Sequence, residues 1–135
     1  MTGEKKTVLF VCTHNSARSP MAEGILKKEK GDLYEVFSAG ILPFETDRRA
    51  VLVMNDAGYD ISMKKPASIG EYSDKKFDYI IFLCENAFKN TYAVPKADKV
   101  ILHRFDMPAG SSCPLKAFAN LRDKIKAWIL DSSGL

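Results

Sequence analysis

Short apolar runs alternate along this chain with longer amphipathic stretches. That alternation points to a parallel sheet, because parallel strands need crossover connections, usually helical ones. Residues 7–11 (Thr-Val-Leu-Phe-Val) are apolar or β-branched throughout and read as a central strand buried on both faces. Residues 34–38, ended by Ala39-Gly40, and residues 78–83 and 99–103 read as three further strands. A helix is expected over 18–30, with Met21, Ala22, Ile25 and Leu26 on one face. Pro20 falls in its first turn, where a missing N–H is tolerated. A second helix over 47–57 starts at Asp47 and stops at Gly58, with Val51, Leu52, Met54 and Ala57 expected on its buried face. Residues 60–76 read as a loop with one short helix, and another short helix follows from Glu85. The last helix, from about 115 to 130, spaces Phe118, Leu121, Ile125, Trp128 and Ile129 for a core-facing stripe.

A length of 135 residues suits one compact domain, expected over 1–135, that needs neither metal nor disulfide to hold a core. The net charge of +3 is small. With no continuous basic stripe and no interleaved aromatics, it does not argue for nucleic acid. No apolar run approaches membrane-spanning length, and the one before Cys12 is too short for a signal-peptide core. The expected location is cytoplasmic. In a reducing compartment the three cysteines, Cys12, Cys84 and Cys113, point to chemistry or packing rather than structural bridges.

Ligands of open parallel sheets bind beyond the carboxyl ends of the strands. On this strand assignment Cys12 directly follows the first strand, Cys84 directly follows the third, and Asp106 comes just after the fourth. Three reactive side chains from distant parts of the chain are therefore expected on one edge of one sheet.

The segment Cys12-Thr13-His14-Asn15-Ser16-Ala17-Arg18-Ser19 joins the first strand to the first helix. A loop of this kind turns successive backbone N–H groups inward, and the helix adds its positive end. Arg18 supplies a planar fork that grips two oxygens of an anion at once. Cys12, at the bottom of the bowl, has its thiolate stabilised by the same donors and becomes a nucleophile beneath a bound oxyanion. Asn15 tolerates the left-handed backbone that a tight cradle needs. Ser16 and Ser19 offer hydroxyls, and Ser19 can donate to the thiolate. His14 is expected to play a structural part.

The run Val11-Cys12-Thr13-His14-Asn15-Ser16-Ala17-Arg18-Ser19-Pro20-Met21-Ala22-Glu23 resembles the low-molecular-weight phosphotyrosine phosphatase superfamily, which includes arsenate reductases of the same fold. Ser38-Ala39-Gly40, Gly58-Tyr59-Asp60-Ile61-Ser62, Phe77 to Cys84 and Asp106-Met107-Pro108-Ala109-Gly110 extend the resemblance along most of the chain. It implies an α/β fold with a four-stranded parallel sheet flanked by helices. It matches Cys12 and Arg18 to the nucleophile and the anion-gripping arginine, and Asn15 and Ser19 to residues that shape the loop and steady the thiolate.

Within that resemblance, His14-Asn15-Ser16-Ala17-Arg18 looks more like the reductases, since the phosphatases usually carry Gly before the Asn and Cys before the Arg. Pro20 looks more like the phosphatases. Cys84 resembles the second redox cysteine of the reductases, and reduction requires such a thiol. Thioredoxin-linked reductases carry a third cysteine shortly afterwards, where this chain has Thr91 preceded by Asn90. The disulfide is then expected to be resolved by an external thiol (glutathione, mycothiol, a glutaredoxin or thioredoxin), or Cys113 substitutes for the missing residue. Family phosphatases place their general-acid Asp immediately before Pro, whereas Met107 stands there and Asp106 is one residue earlier. Ala109-Gly110-Ser111-Ser112 follow Pro108 without an aromatic platform, leaving Phe44 as the remaining aromatic wall. Loss of the acid hurts ester hydrolysis more than thiol-driven reduction of arsenate.

The expectation is therefore a cytoplasmic arsenate reductase with catalytic residues Cys12, Arg18, Cys84 and Asp106. Residues Thr13 to Ser19 bind the oxyanion, with no bound cofactor or metal and an external thiol as reductant. The partners are a small oxyanion and a thiol-redox protein, with neither nucleic acid nor membrane. A protein-tyrosine phosphatase, or a non-catalytic oxyanion-binding or redox-sensing module, is the alternative.

Overall fold

The apolar run near the start becomes β1 (Lys6–Cys12), and Val8, Leu9, Phe10 and Val11 have no solvent exposure. The computed structural model describes residues 4–92, 94–108 and 115–135. In chain order β1 is followed by α1 (Arg18–Lys30), β2 (Tyr34–Gly40), α2 (Arg48–Asp56) and a 3-10 turn (Ile69–Tyr72). Then come β3 (Lys76–Phe82), α3 (Glu85–Asn90), β4 (Lys96–Leu102) and α4 (Leu115–Asp131). The four strands form one sheet in the order β2-β1-β3-β4, and every pairing is parallel. The expected four-stranded parallel α/β architecture is present. β1 is one of its two interior strands, as the unbroken apolar run implies.

Register decides which side chains meet at the sheet's carboxyl edge. Cys12 pairs with Gly40 of β2, and Val11 pairs with Phe82 of β3. At the opposite edge the Thr7 amide donates to Asp78 and the Asp78 amide donates back to Thr7 Oγ1, which pins β1 to β3. Helix α1 runs along β1 and β2 and touches α4, against which α2 also packs. Phe118, Leu121, Ile125 and Ile129 of α4 are buried, and Trp128 is half-buried against His103.

Three local expectations change. The strand read as 99–103 begins three residues earlier, at Lys96, because pairing with β3 recruits a polar stretch. As an edge strand β4 lacks the apolar pattern that marks a buried strand, and Val100 is 53% exposed. Helix α2 buries Ala50, Val53 and Met54. Leu52, expected inside, is exposed, since it lies two residues from both Ala50 and Met54, on the opposite face of a 3.6-residue helix. Ala57, also expected inside, is exposed beyond the helix end. The helix boundaries themselves follow the signals: Asp47 accepts from the Arg49 amide at 2.8 Å, and Gly58 takes φ +88°. The Arg49 guanidinium beside Asp47 holds its carboxyl below the usual carboxylate range.

Candidate active site

Cys12 is the last residue of β1 rather than the first beyond it, and α1 begins at Arg18. The connecting loop is shaped from behind. Amides of Leu42, Phe44 and Asp47 donate to the carbonyls of Thr13, His14 and Ser16 at 2.8, 2.8 and 2.7 Å. Those carbonyls are drawn outward. Among the described residues no acceptor meets the amides of His14 to Ala17. Ala17, at the N-cap of α1, makes no side-chain cap either. The helix start therefore presents open donors, the arrangement that suits an anion.

Gly40 permits this close approach. A Cβ there would stand 2.8 Å from the Asn15 nitrogen and 2.9 Å from the Thr13 oxygen. Asn15 is wholly buried with φ 53°, a left-handed conformation that Asn adopts more readily than most residues. Its side chain is fully engaged: Oδ1 accepts from the Ala67 amide, and Nδ2 donates to Ser19 Oγ at 2.8 Å and Ser38 Oγ at 3.0 Å. Ser19 Oγ lies 2.9 Å from Cys12 Sγ. Since Ser19 accepts from Asn15, its own single hydrogen is left for the sulfur. Ser38 in turn donates to Glu23 Oε1 at 2.5 Å, and Lys64 Nζ stands 3.6 Å from the same oxygen. Sequence reasoning misses the part played by Ser38 and Glu23. The available signal is a polar residue at the carboxyl end of a buried strand.

Arg18 reaches over the loop. Its Nη1 donates to the Phe105 carbonyl at 2.9 Å, while Nε is buried without a partner among the described residues. A buried guanidinium N–H left unpaired is costly, and an oxyanion in the loop would satisfy it.

Cys84 does not directly follow β3; it lies one residue further on, buried, at the N-cap of α3. Its Sγ is 3.2 Å from Thr13 Oγ1, which accepts from Asn86 Nδ2 at 3.0 Å. Thr91 ends α3, and its hydroxyl is buried without a partner among the described residues. The segment after β4 folds back beside β3: the His103 and Phe105 amides donate to the carbonyls of Phe82 and Leu83. That places the Phe105 carbonyl against Arg18, with Asp106 next along the chain and exposed. Met107 is half-buried against the core. His14 donates through Nδ1 to the Leu42 carbonyl, and Phe44, the expected aromatic wall, lies flat on its ring. Cys113 and the Ala109-Gly110-Ser111-Ser112 stretch lie outside the described residues.

The structure thus brings Cys12, Arg18, Asn15, Ser19 and Cys84 to one edge of the sheet, with Asp106 on its rim. Such an arrangement can hold a tetrahedral anion over a sulfur nucleophile, with a second thiol beside the first strand.

Residues 7–111 match the family model for low molecular weight phosphotyrosine protein phosphatase. Arsenate reductase 2 of Staphylococcus epidermidis is 39% identical over 126 residues, which is 93% of this chain and 95% of that protein. An arsenate reductase of Staphylococcus aureus is 38% identical over 125 residues, covering 93% and 94%. Among solved structures, an arsenate reductase in the phosphate binding state superimposes with TM-score 0.78 at 27% identity, covering 93% of this chain and 95% of that one. A low molecular weight protein tyrosine phosphatase from T. tengcongensis gives 0.76 at 29% identity, with the same coverage.

Proposed function

Because the chain belongs to the low molecular weight phosphotyrosine protein phosphatase family, we propose that it is an arsenate reductase working through Cys12 and Cys84. The Cys12 thiolate attacks arsenic, and an arsenate hydroxyl takes up a proton from solvent and leaves as water. Arg18 and the loop amides hold the remaining oxygens. Cys84, as thiolate, then attacks Cys12 Sγ. The sulfur–arsenic bond breaks with its electron pair moving to arsenic, so arsenite departs and a Cys12–Cys84 disulfide remains. Arsenic gains two electrons and the two sulfurs lose two. An external thiol reductant, drawn from the cytoplasmic pool, restores both thiols. The reductant is glutathione, mycothiol, or a glutaredoxin or thioredoxin protein.

The observation that carries this reading is the second thiol beside the loop, with its Thr13 contact. Continuing the β1–β3 register by one step sets Cys12 opposite Leu83 and Cys84 diagonally beyond. Ideal strand spacing and rise then put the two Cα atoms roughly 6 Å apart, inside the ~7 Å a disulfide allows. Successive side chains point to opposite faces, so the Cys84 thiol has to turn from Thr13 toward Cys12 before the bond forms.

Among the described residues no helix is long and apolar enough to cross a membrane. The second reading is phosphomonoester hydrolysis in the same cradle, favoured by Asp106 beside the carbonyl that anchors Arg18. Side-by-side assays of thiol-dependent arsenate reduction and aryl phosphate hydrolysis decide between them. Reduction well above the thiol-only background is the expected result. Hydrolysis without reduction, with any of the thiol donors, puts the phosphatase reading first.

A further inference from the structure

The position before Asn15 carries a ring, and that ring is fixed. His14 and Phe44 stack with centroids 4.2 Å apart and planes 6° from parallel. Phe44 is tied at its backbone and His14 at its ring. The Phe44 amide donates to the His14 carbonyl at 2.8 Å, and the His14 Nδ1 to Leu42 carbonyl distance is 2.9 Å. A carbonyl partner requires the proton on Nδ1, which leaves Nε2 as the second ring nitrogen. His14 covers one face of Phe44, which remains 58% exposed overall.

Which face is covered matters. His14 belongs to the anion loop, so the face of Phe44 it covers is taken up by a residue of the loop itself. Aromatic carbons pack at about 3.5 Å, so two rings that sandwich a third must stand about 7 Å apart. At 4.2 Å nothing fits between His14 and Phe44.

Deepening the small-oxyanion reading above and resting on it, we propose that the His14–Phe44 stack is a specificity determinant. The imidazole occupies the space in which an aryl leaving group would lie against Phe44. The cradle therefore accepts inorganic arsenate or phosphate and disfavours aryl esters. His14 here positions Phe44 and fills volume; it takes no part in the sulfur chemistry.

The test uses binding alone, so it does not depend on any turnover. Dissociation constants for benzylphosphonate and for inorganic phosphate are measured by calorimetry on the full chain and on the His14→Ala, Phe44→Ala and double variants. Their ratio cancels damage to the cradle that both ligands feel. The expected result is a benzylphosphonate-to-phosphate ratio at least about threefold lower in His14→Ala, which is the size of effect one aromatic contact supplies. Phe44→Ala alone should change the ratio less than about twofold, and adding it to His14→Ala should restore the parent ratio. An unchanged or higher ratio in His14→Ala overturns the proposal, since the imidazole then excludes nothing or is itself the wall. A ratio raised about threefold or more by Phe44→Ala alone also overturns it, because Phe44 would already be serving aryl ligands. If the parent binds no phosphate, the cradle and the reduction reading fail as well, an outcome separate from a ratio that does not move.

Discussion

Cys12 and Cys84 sit at the carboxyl ends of neighbouring strands, and each sulfur meets one hydroxyl, Ser19 at 2.9 Å and Thr13 at 3.2 Å. Behind those hydroxyls the surroundings diverge. Ser19 leans on Asn15, which leans on Ser38, and all three are wholly buried. The chain of bonds ends at Glu23 of α1 and at Lys64. Thr13 instead leans on Asn86, an exposed residue of a six-residue helix, whose amide is held by exposed Asn90. Buried polar networks resist rearrangement, because a broken bond leaves a desolvated group unpaired. Exposed ones exchange with water at little cost. The proposed nucleophile is therefore the more firmly held, and the proposed second thiol the more easily released. A reaction in which one sulfur must travel to the other needs that division of labour.

The largest expected effect falls on the rigid side. Cys12→Ser should lower turnover by at least about 1,000-fold while phosphate still binds, since the amides and Arg18 remain. Near-normal turnover, on any substrate, removes the covalent mechanism. On the mobile side, Cys84→Ser should cut arsenate reduction at least about tenfold, a barrier change of roughly 1.4 kcal/mol. Aryl phosphatase activity should be spared, and peptide mapping after one turnover without reductant should show a Cys12–Cys84 disulfide in the parent only. Reduction by Cys84→Ser at the parent rate makes Cys84 a packing residue.

Stability measures the contrast directly. Asn15→Ala removes three buried hydrogen bonds and places alanine at positive φ. It should cost about 2–4 kcal/mol in urea unfolding, whereas Asn86→Ala should cost less than about 1 kcal/mol. Equal losses would erase the distinction between the two supports. At the rim, Asp106→Asn should slow aryl phosphate hydrolysis about tenfold or more and arsenate reduction less, because a phenolate leaving group benefits more from a proton. An unchanged hydrolysis rate across pH rules Asp106 out as the acid.

The smallest effect concerns the segment that carries the Arg18 anchor. His103 stacks on Trp128, ring centroids 4.4 Å apart, and burial pushes its imidazole below the usual histidine range. The unfolded chain then takes up a proton near pH 6.5 that the folded chain refuses, so stability falls as pH drops through that value toward the folded one. His103→Phe keeps a stacking ring without the titration. Urea midpoints at pH 7.5 and 5.5 should differ less in His103→Phe than in the parent. An identical pH dependence would mean that His103 does not contribute.

Much of the cradle is legible in the sequence, because its geometry is local. A buried strand, a short loop with Asn15 and a helix opening on Arg18 leave few conformations in which the loop amides do not converge. Ser19 is legible for the same reason, one turn into the same helix. Other features are not local. Helix α2 is recognisable at both ends, and Met54 is buried and Val51 half-buried as expected, yet Leu52 is exposed while the equally apolar Val53 packs inward. The start of β4 carries no apolar signal at all. Glu23 and Ser38 lie in recognisable motifs, but only packing shows that their side chains meet.

What this sequence indicated by itself is the set of reactive groups on offer: two thiols, assigned to strand ends by local periodicity, and an arginine fork at the start of the first helix. Tertiary structure decided how those groups are held. The β1–β3 register brings Cys84 beside Thr13, 71 residues away in the chain. The fold-back after β4 gives Arg18 its carbonyl partner, 87 residues away. The segment after β2 turns the loop carbonyls outward and lays Phe44 on His14. Backbone preferences act over a few residues, so sequence can place a side chain on an element. Whether it is buried, paired or blocked depends on surfaces brought together by the whole sheet, and no local pattern encodes that.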